Sequence, residues 1–196
     1  MSTPVNNDKY SRLADLTLQI LQELDEDPSR PGLVDTPERV ARSYEFLTSG
    51  YKQDLDMIVN GAMFEEKCDE MVLVKNIHFF SLCEHHMLPF FGICHVAYLP
   101  AGRLIGISKI PRIVDMFSHR LQLQERMTYQ IAEALNDILK PKGVAVVTEA
   151  YHLCMMMRGV QKQEARTLAS AMLGGFRTRE QTRLEFLSLI QRSEKI

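Results

Sequence analysis

The spacing of apolar positions changes near residue 71. Before it, they recur at helical intervals; after it, β-rich runs and helical stretches are mixed. Leu13, Leu16, Ile20 and Leu24 stand three and four apart, which predicts a helix over 9–24 with one apolar face. A polar tail (1–8) precedes it, and a loop, DEDPSRPG (25–32), follows. Thr36 reads as a helix N-cap with Pro37 at the first helical position and Ser49-Gly50 at the end. Val40, Tyr44 and Leu47 would line the buried side of this helix. A third short helix is expected from Asp54 to Asn60.

MVLVKNIHFF and ICHVAYLP are β-rich runs on either side of SLCEHHMLPFFG, where Pro89 and Gly92 mark a turn. After the short run RLIGIS come two helical stretches. In KIPRIVDMFSHR, Ile110, Ile113, Val114 and Phe117 share a side, and Pro111 falls in the first turn, where proline is tolerated. In ERMTYQIAEALNDILK the apolar line is Met127, Ile131, Ala134 and Ile138, and Pro141 and Gly143 stop the helix. GVAVVTEAYHLCMMM and TLASAMLGGF read as strands. Thr178 to Arg192 reads as a closing helix with Thr178 and Gln181 as its capping box. The order α-α, then β-β-α-α-β-β-α, keeps strands in adjacent pairs, which favours antiparallel hairpins over alternating βαβ units. The expected fold class is α+β, an antiparallel sheet with helices layered on one face, preceded by N-terminal helices. A helical region (1–60) and a sheet-bearing region (61–196) would form one compact unit, since no linker separates them. Val72 and Val74 alternate with Leu73, and such two-sided apolarity fits a sheet covered on both faces.

Composition narrows the setting. The chain has 196 residues, 45% of them hydrophobic and 24% charged, which is ordinary for a globular protein and excludes a fibrous one. No run approaches the ~18 apolar residues of a membrane span. The N-terminus has no basic start followed by an apolar core, so no signal peptide is expected and the cytoplasm is the expected location. Four cysteines would be reduced there and are candidates for metal binding or catalysis. A net charge of −2 makes no case for nucleic acid, so an anionic ligand needs a local basic cluster.

Cys83-Glu84-His85-His86 is the densest group of ligand-type side chains. Cys83 and His86 form C-x-x-H, a spacing that lets one turn supply two ligands to a tetrahedral metal. The alternative is a buried thiol beside two surface histidines. His152-Leu153-Cys154 is the second group; on a strand, residues two apart share a face, so His152 and Cys154 would look the same way, with Met156 and Arg158 after them. Here the alternative is a packed thiol and a histidine satisfied by a carbonyl. Together the two segments offer two thiolates and up to three imidazoles. Three protein ligands plus water would make a catalytic zinc site, four a structural one. Histidines left over would suit proton transfer near neutral pH. Cys68 and Cys94 have no comparable company. Ser108, Lys109 and Arg112 open a helix whose N-terminus suits phosphate, and Lys109 and Arg112 lie on one face. Gln124 and Glu125 begin the next helix, where a carboxylate also has a capping role.

SLCEHHMLPFFG, LIGISKIPRIVDMFSHRLQLQERMT, YHLCMMMRG and the closing LGGF…TRLEFL resemble GTP cyclohydrolase I, and the similarity runs from about Leu13 to Ile190. The resemblance implies a tunnelling fold and a homo-oligomer, a toroidal decamer of two pentamers. It implies zinc-dependent hydrolytic opening of the imidazole ring of GTP to formate and 7,8-dihydroneopterin triphosphate, the first step towards folate or tetrahydrobiopterin. It implies zinc ligands Cys83, His86 and Cys154, with His85 and His152 as proton-transfer groups. By the same likeness Glu125 would hold the guanine edge, with Gln124 helping to position the nucleoside. Ser108, Lys109, Arg112 and Arg158 would surround the triphosphate, and Arg39, in TPERVA, would be a further phosphate contact. Two other classes stay open: a deazaguanine reductase of the same fold, using a nucleophilic cysteine and NADPH, and a zinc-stabilised binding module without activity.

Overall fold

A computed structural model of the chain describes residues 7–191. The chain divides into two compact units, Met1–Ser49 and Gly50–Ile196. In the first, α1 (Asn7–Glu23) packs on α2 (Thr36–Leu47). Of the polar tail expected over 1–8, residues 1–6 lie outside the described residues and 7–8 belong to α1. The Tyr10 hydroxyl joins the two helices, donating to the Glu38 carbonyl (3.1 Å) and accepting from Arg42 Nε (2.8 Å). The buried line of α1 runs through Leu13, Ala14, Thr17 and Leu21, while Leu16, Ile20 and Leu24 are exposed within this unit. Thr17 can be buried because its hydroxyl donates to the Leu13 carbonyl at 2.8 Å. On α2 only Ala41 is fully buried; Val40, Tyr44 and Leu47 are half-buried. The N-cap is Asp35, one residue before the expected Thr36, and its carboxylate pairs with Arg39 one turn on (2.7 Å).

The second unit is built on two sheets. β1 (Met63–Glu65) pairs antiparallel with β4 (Arg103–Ile105). β2 (Val72–Cys83), β3 (Pro89–Leu99), β5 (Leu121–Gln122), β6 (Gly143–His152) and β7 (Thr167–Gly174) form a five-stranded sheet in the order β5-β2-β3-β6-β7. Every pair is antiparallel except β2 with β5, so the sheet is mixed. The helices are α3 (Leu55–Val59), α4 (Lys109–Ser118), α5 (Gln124–Leu139), α6 (Leu153–Met156), α7 (Gly175–Thr178) and α8 (Glu180–Gln191). α3 is capped by Asp54, whose carboxylate accepts from the Met57 N–H (3.0 Å), and closes on Asn60 in the left-handed region. Val59 joins the sheet's core, so α3 belongs with the second unit and the division falls before the expected 60/61 boundary.

Alternation on the central strands decides what covers each face. Phe90, Cys94, Val96 and Tyr98 of β3 and Val144, Val146 and Ala150 of β6 face Ile110, Ile113 and Val114 of α4 and Met127, Ile131 and Leu135 of α5. Burying each such large side chain contributes about 1.5–3 kcal/mol. The other face carries Ala97, Ala145 and Val147 under Phe176 and Phe186. Helices therefore cover both faces, in line with the two-sided apolarity of 72–74, and the expectation of helices on one face is corrected: α8 brings Phe186 to the second. Thr178 ends α7 with its hydroxyl 3.2 Å from the Gly174 carbonyl, so the expected capping box does not form. Arg192, the expected end of the last helix, lies outside the described residues.

Two irregularities place the site. Between Val74↔Val96 and Ile77↔Cys94, β2 uses one residue more than β3, with Asn76 at φ +60°. This bulge switches the core-facing positions of β2 from Val72 and Val74 to Ile77, Phe79 and Cys83. Pro89 and Gly92, expected in a turn, lie inside β3; the turn is 84–88, with Met87 at φ +54°. Gly92 answers a different need, since a Cβ there would stand 1.9 Å from the Glu149 carbonyl oxygen on β6.

Candidate active site

The turn after β2 folds back on Cys83. The Cys83 N–H donates to the Leu88 carbonyl (2.9 Å), and the Cys83 carbonyl accepts from the N–H of Met87 (2.8 Å) and of His86 (3.3 Å). Cys83 is buried at the strand end, while His85 and His86 stand exposed on the turn. The strand expected to continue through Cys154 instead stops at His152, and Leu153–Met156 forms one helical turn. The reason lies in the partner strand. β6 pairs with β3 as far as Phe90↔His152, and β3 begins at Pro89, which has no N–H to extend the ladder. The helical turn, not strand alternation, swings Cys154 to the CEHH turn. There one donor atom each from Cys83, His86 and Cys154 lie within 4.8 Å of one another. His85 is outside this group; its ring stands 6.3 Å from that of His86 and nearly perpendicular to it.

Two thiols and an imidazole at this separation fit a borderline-soft cation, zinc above all, and three protein donors leave one position of a tetrahedron open. Burial, then the neighbouring Cys83, push the Cys154 thiol above its ordinary value, while Arg158 acts in the opposite sense. Arg158 Nη1 lies 3.3 Å from His86 Nε2, at the edge of the cluster.

His152 lies flat on Phe90, with ring centroids 4.7 Å apart and planes within 1°. Its Nε2 is 2.9 Å from Gln124 Oε1. Burial lowers its pKa below 6.5, with the Glu125 charge opposing. Gln124 is itself buried, and its amide nitrogen donates to Thr148 O (3.1 Å), Thr148 Oγ1 (3.0 Å) and Thr167 O (2.9 Å). Sequence reasoning missed Thr148 and Thr128. Their only sequence signals were a hydroxyl inside the buried run VVTEA and a threonine four residues after Gln124. Also missed was the pair of hydrogen bonds from Arg126 to Glu84, which ties the CEHH turn to the start of α5.

Glu125 is exposed in the first turn of α5. Ser108 is exposed at the N-cap of α4 and makes no capping bond; Lys109 is half-buried and Arg112 exposed. The N–H groups of Lys109 and Ile110 already donate to the carbonyls of Gly106 (2.8 Å) and Ile107 (3.2 Å). An anion at this helix end would thus meet side-chain charge rather than those free backbone donors, which corrects one ground for expecting phosphate there. Arg39 belongs to the other unit and is paired with Asp35. Among the described residues no helix is long and apolar enough to cross a membrane.

An α+β scaffold that gathers two thiols and an imidazole around one point, with a second histidine held alongside, is built like a metalloenzyme. Comparison with known proteins narrows the class. The family model for GTP cyclohydrolase I matches residues 14–191. The GTP cyclohydrolase 1 of Methylococcus capsulatus is 57% identical over 183 residues, covering 93% of this chain and 99% of that protein. That of Leptospira biflexa is 58% identical over 179 residues (91% and 98%). That of Chlorobaculum tepidum is 57% identical over 178 residues (91% and 80%). Among solved structures, the apo archaeosine synthase QueF-Like aligns with 56% of this chain at 21% identity and a TM-score of 0.47, a likeness too remote to bear on function. The chain belongs to the GTP cyclohydrolase I family and is an enzyme.

Proposed function

We propose that this enzyme opens the imidazole ring of GTP by hydrolysis, releasing formate and leaving 7,8-dihydroneopterin triphosphate, with zinc held by Cys83, His86 and Cys154. The observation that carries the reading is the convergence of these three donors beside two histidines outside the ligand set. Zinc bound there supplies Lewis acidity, which brings the pKa of water to about 7. The chain's own groups do the rest. Glu125, exposed at the start of α5, accepts the ring N–H and amino group of guanine in parallel. Ser108, Lys109, Arg112 and Arg158 receive the triphosphate through side-chain charge and hydroxyl, and Arg39 adds a further phosphate contact. C8 of guanine is a poor electrophile until N7 is protonated, and a positioned histidine supplies that proton. His85, on the exposed turn, can exchange protons with solvent. His152, lowered by burial, is neutral near pH 7 and can accept one. The ring then opens, a second hydrolysis frees formate, and the ribose carbons rearrange and close on the freed amine.

The product would feed folate or tetrahydrobiopterin synthesis in the cytoplasm. We propose a decamer of two pentamers with a tunnelling fold. Among the described residues no further strand pairs with the outer edges of β5 and β7 in the five-stranded sheet, which supports edge-to-edge assembly. Incubation of the zinc-loaded enzyme with GTP should release formate and, after oxidation, a fluorescent pterin in equal amounts. Cys154→Ser should lose both the metal and the formate while keeping the wild-type circular dichroism. Formate release from a Cys154→Ser protein free of metal would sink the proposal.

A further inference from the structure

Gln124 has an amide whose two ends are distinguishable by their neighbours. Its nitrogen faces two carbonyl oxygens, Thr148 O and Thr167 O, which can only accept. Rotating the amide by half a turn would place Oε1 against both, an acceptor opposed to two acceptors. A ring of hydroxyls reinforces the same direction. Thr128 Oγ1 donates to the Gln124 carbonyl (2.7 Å). That hydroxyl then accepts from Thr148 Oγ1 (2.8 Å), and Thr148 Oγ1 in turn accepts from Gln124 Nε2 (3.0 Å). Each hydroxyl in this loop donates once and accepts once, and no buried side-chain nitrogen or oxygen among the described residues is left without a partner. Oε1 is therefore the atom turned toward His152, 2.9 Å from Nε2. An amide oxygen only accepts, so Nε2 must carry the hydrogen. Phe90, parallel to the imidazole, prevents the ring from tilting away from this bond.

We infer that Gln124 is a positioning residue: it holds neutral His152 as the Nε2–H tautomer and leaves Nδ1 as the nitrogen available to the substrate. The inference deepens the proposed reaction by naming the atom that exchanges the proton, and it rests on that reading only for its kinetic test. Gln124 then acts on the nucleoside through His152. A glutamine buried with all its hydrogens committed has none to offer a ribose hydroxyl.

The test uses full-length, zinc-loaded protein labelled with ¹⁵N-histidine. Magic-angle-spinning NMR at about pH 8.5, where imidazole is neutral, reports which ring nitrogen bears hydrogen. The His152 signal is assigned by its absence from His152→Gln. Hydrogen on Nε2 supports the inference and hydrogen on Nδ1 overturns it, and the wild-type spectrum decides whether or not any Gln124 variant folds. The kinetic arm uses Gln124→Met. The expected result is a fall in kcat of about tenfold or more with KM for GTP within about threefold, and no further loss when Gln124→Met is added to His152→Ala. A raised KM at unchanged kcat, or a further tenfold loss in the double variant, shows that Gln124 meets the substrate itself and overturns the inference. If wild-type enzyme releases no formate from GTP, the proposed function fails while the NMR result stands.

Discussion

Adding one methyl group at Gly92 tests how tightly the central strand pair holds the site. Gly92 sits opposite Ala150, two positions from the Phe90↔His152 pair. A Cβ there would lie 1.9 Å from the Glu149 oxygen and 2.8 Å from Ala150 Cα, both backbone atoms with no rotamer to escape into. Reaching a 3.0 Å carbon–oxygen contact needs β3 and β6 to part by roughly 1 Å, in an interior packed as densely as an organic crystal. A ladder bond stretched by that much is lost. Two flanking bonds at about 0.5–1.5 kcal/mol each, with overpacking of about 1–3 kcal/mol, give a cost of about 2–6 kcal/mol. For a chain of this size, at about 2–4 °C per kcal/mol, that corresponds to a fall in melting temperature of roughly 4–24 °C. The chemistry should suffer separately, because a 1 Å misplacement of His152 costs on the order of 10²-fold in turnover. The assay is paired: thermal unfolding of zinc-loaded Gly92→Ala by circular dichroism, and formate release at saturating GTP at about 25 °C, where the variant is still folded. Gly106→Ala is the control, since its added Cβ meets nothing closer than 3.5 Å. A Gly92→Ala protein that melts with the wild type and turns over normally would show that the strands yield freely, and the account of the site's rigidity would be wrong.

Other outcomes follow from the same geometry. His85→Ala should retain zinc and lose turnover by about 10² or more, whereas His86→Ala should lose zinc; metal analysis showing the reverse would exchange the two roles. Burial holds His95 below its ordinary 6.5, with Lys75 acting the same way and Glu149 opposing. The unfolded chain therefore takes up that proton first as pH falls, and the stability contributed is full above about 6.5 and declines below it. The urea midpoint should drop between about pH 7.5 and about pH 5.5, and less so in His95→Gln, whose amide can still accept the Asn76 N–H; equal drops would acquit His95. If neighbouring subunits share sites, Cys154→Ser and Lys109→Ala/Arg112→Ala should restore activity to each other when unfolded and reassembled together. Mixed rings that form yet remain inactive would mean that each chain builds a complete site.

What could be read from residue order was what is local and periodic. The three- and four-residue spacing of Ile110, Ile113, Val114 and Phe117, and of Met127, Ile131 and Ala134, marks helices whose buried faces are the observed ones. The metal group was legible because C-x-x-H is a local spacing and His-x-Cys a second one. The path to Cys154 was not. LCMMM (153–157) is apolar at every position, so its pattern cannot separate a buried strand from a helical turn; Pro89, sixty-odd residues earlier, decides it. Nothing local reveals that Thr148 and Thr167 come to meet the Gln124 amide. The two-sided apolarity of 72–74 pointed to a second covered face, but not to what covers it, because α8 reaches that face through a single deeply buried residue, Phe186, in an otherwise weakly patterned helix.

The extra residue in β2 carries a consequence for how the gene can change length. Val72 and Val74 face the core on even numbers, and Ile77, Phe79 and Cys83 on odd ones, with the odd residue absorbed at Asn76. Losing Asn76 alone would put the two halves of the strand back in phase. Both halves would keep their core residues inward, because Val72, Val74, Ile77, Phe79 and Cys83 would then fall on one alternation and the ladder would run from Val74↔Val96 to Ile77↔Cys94 without a bulge. Single-residue insertions and deletions between 77 and 83 would instead turn Cys83 outward, whereas changes of two residues would keep it inward. Length variation in this strand should therefore come in steps of two, or be confined to the bulge. A codon library of one- and two-residue deletions across 72–83, selected for pterin synthesis, would show that parity directly.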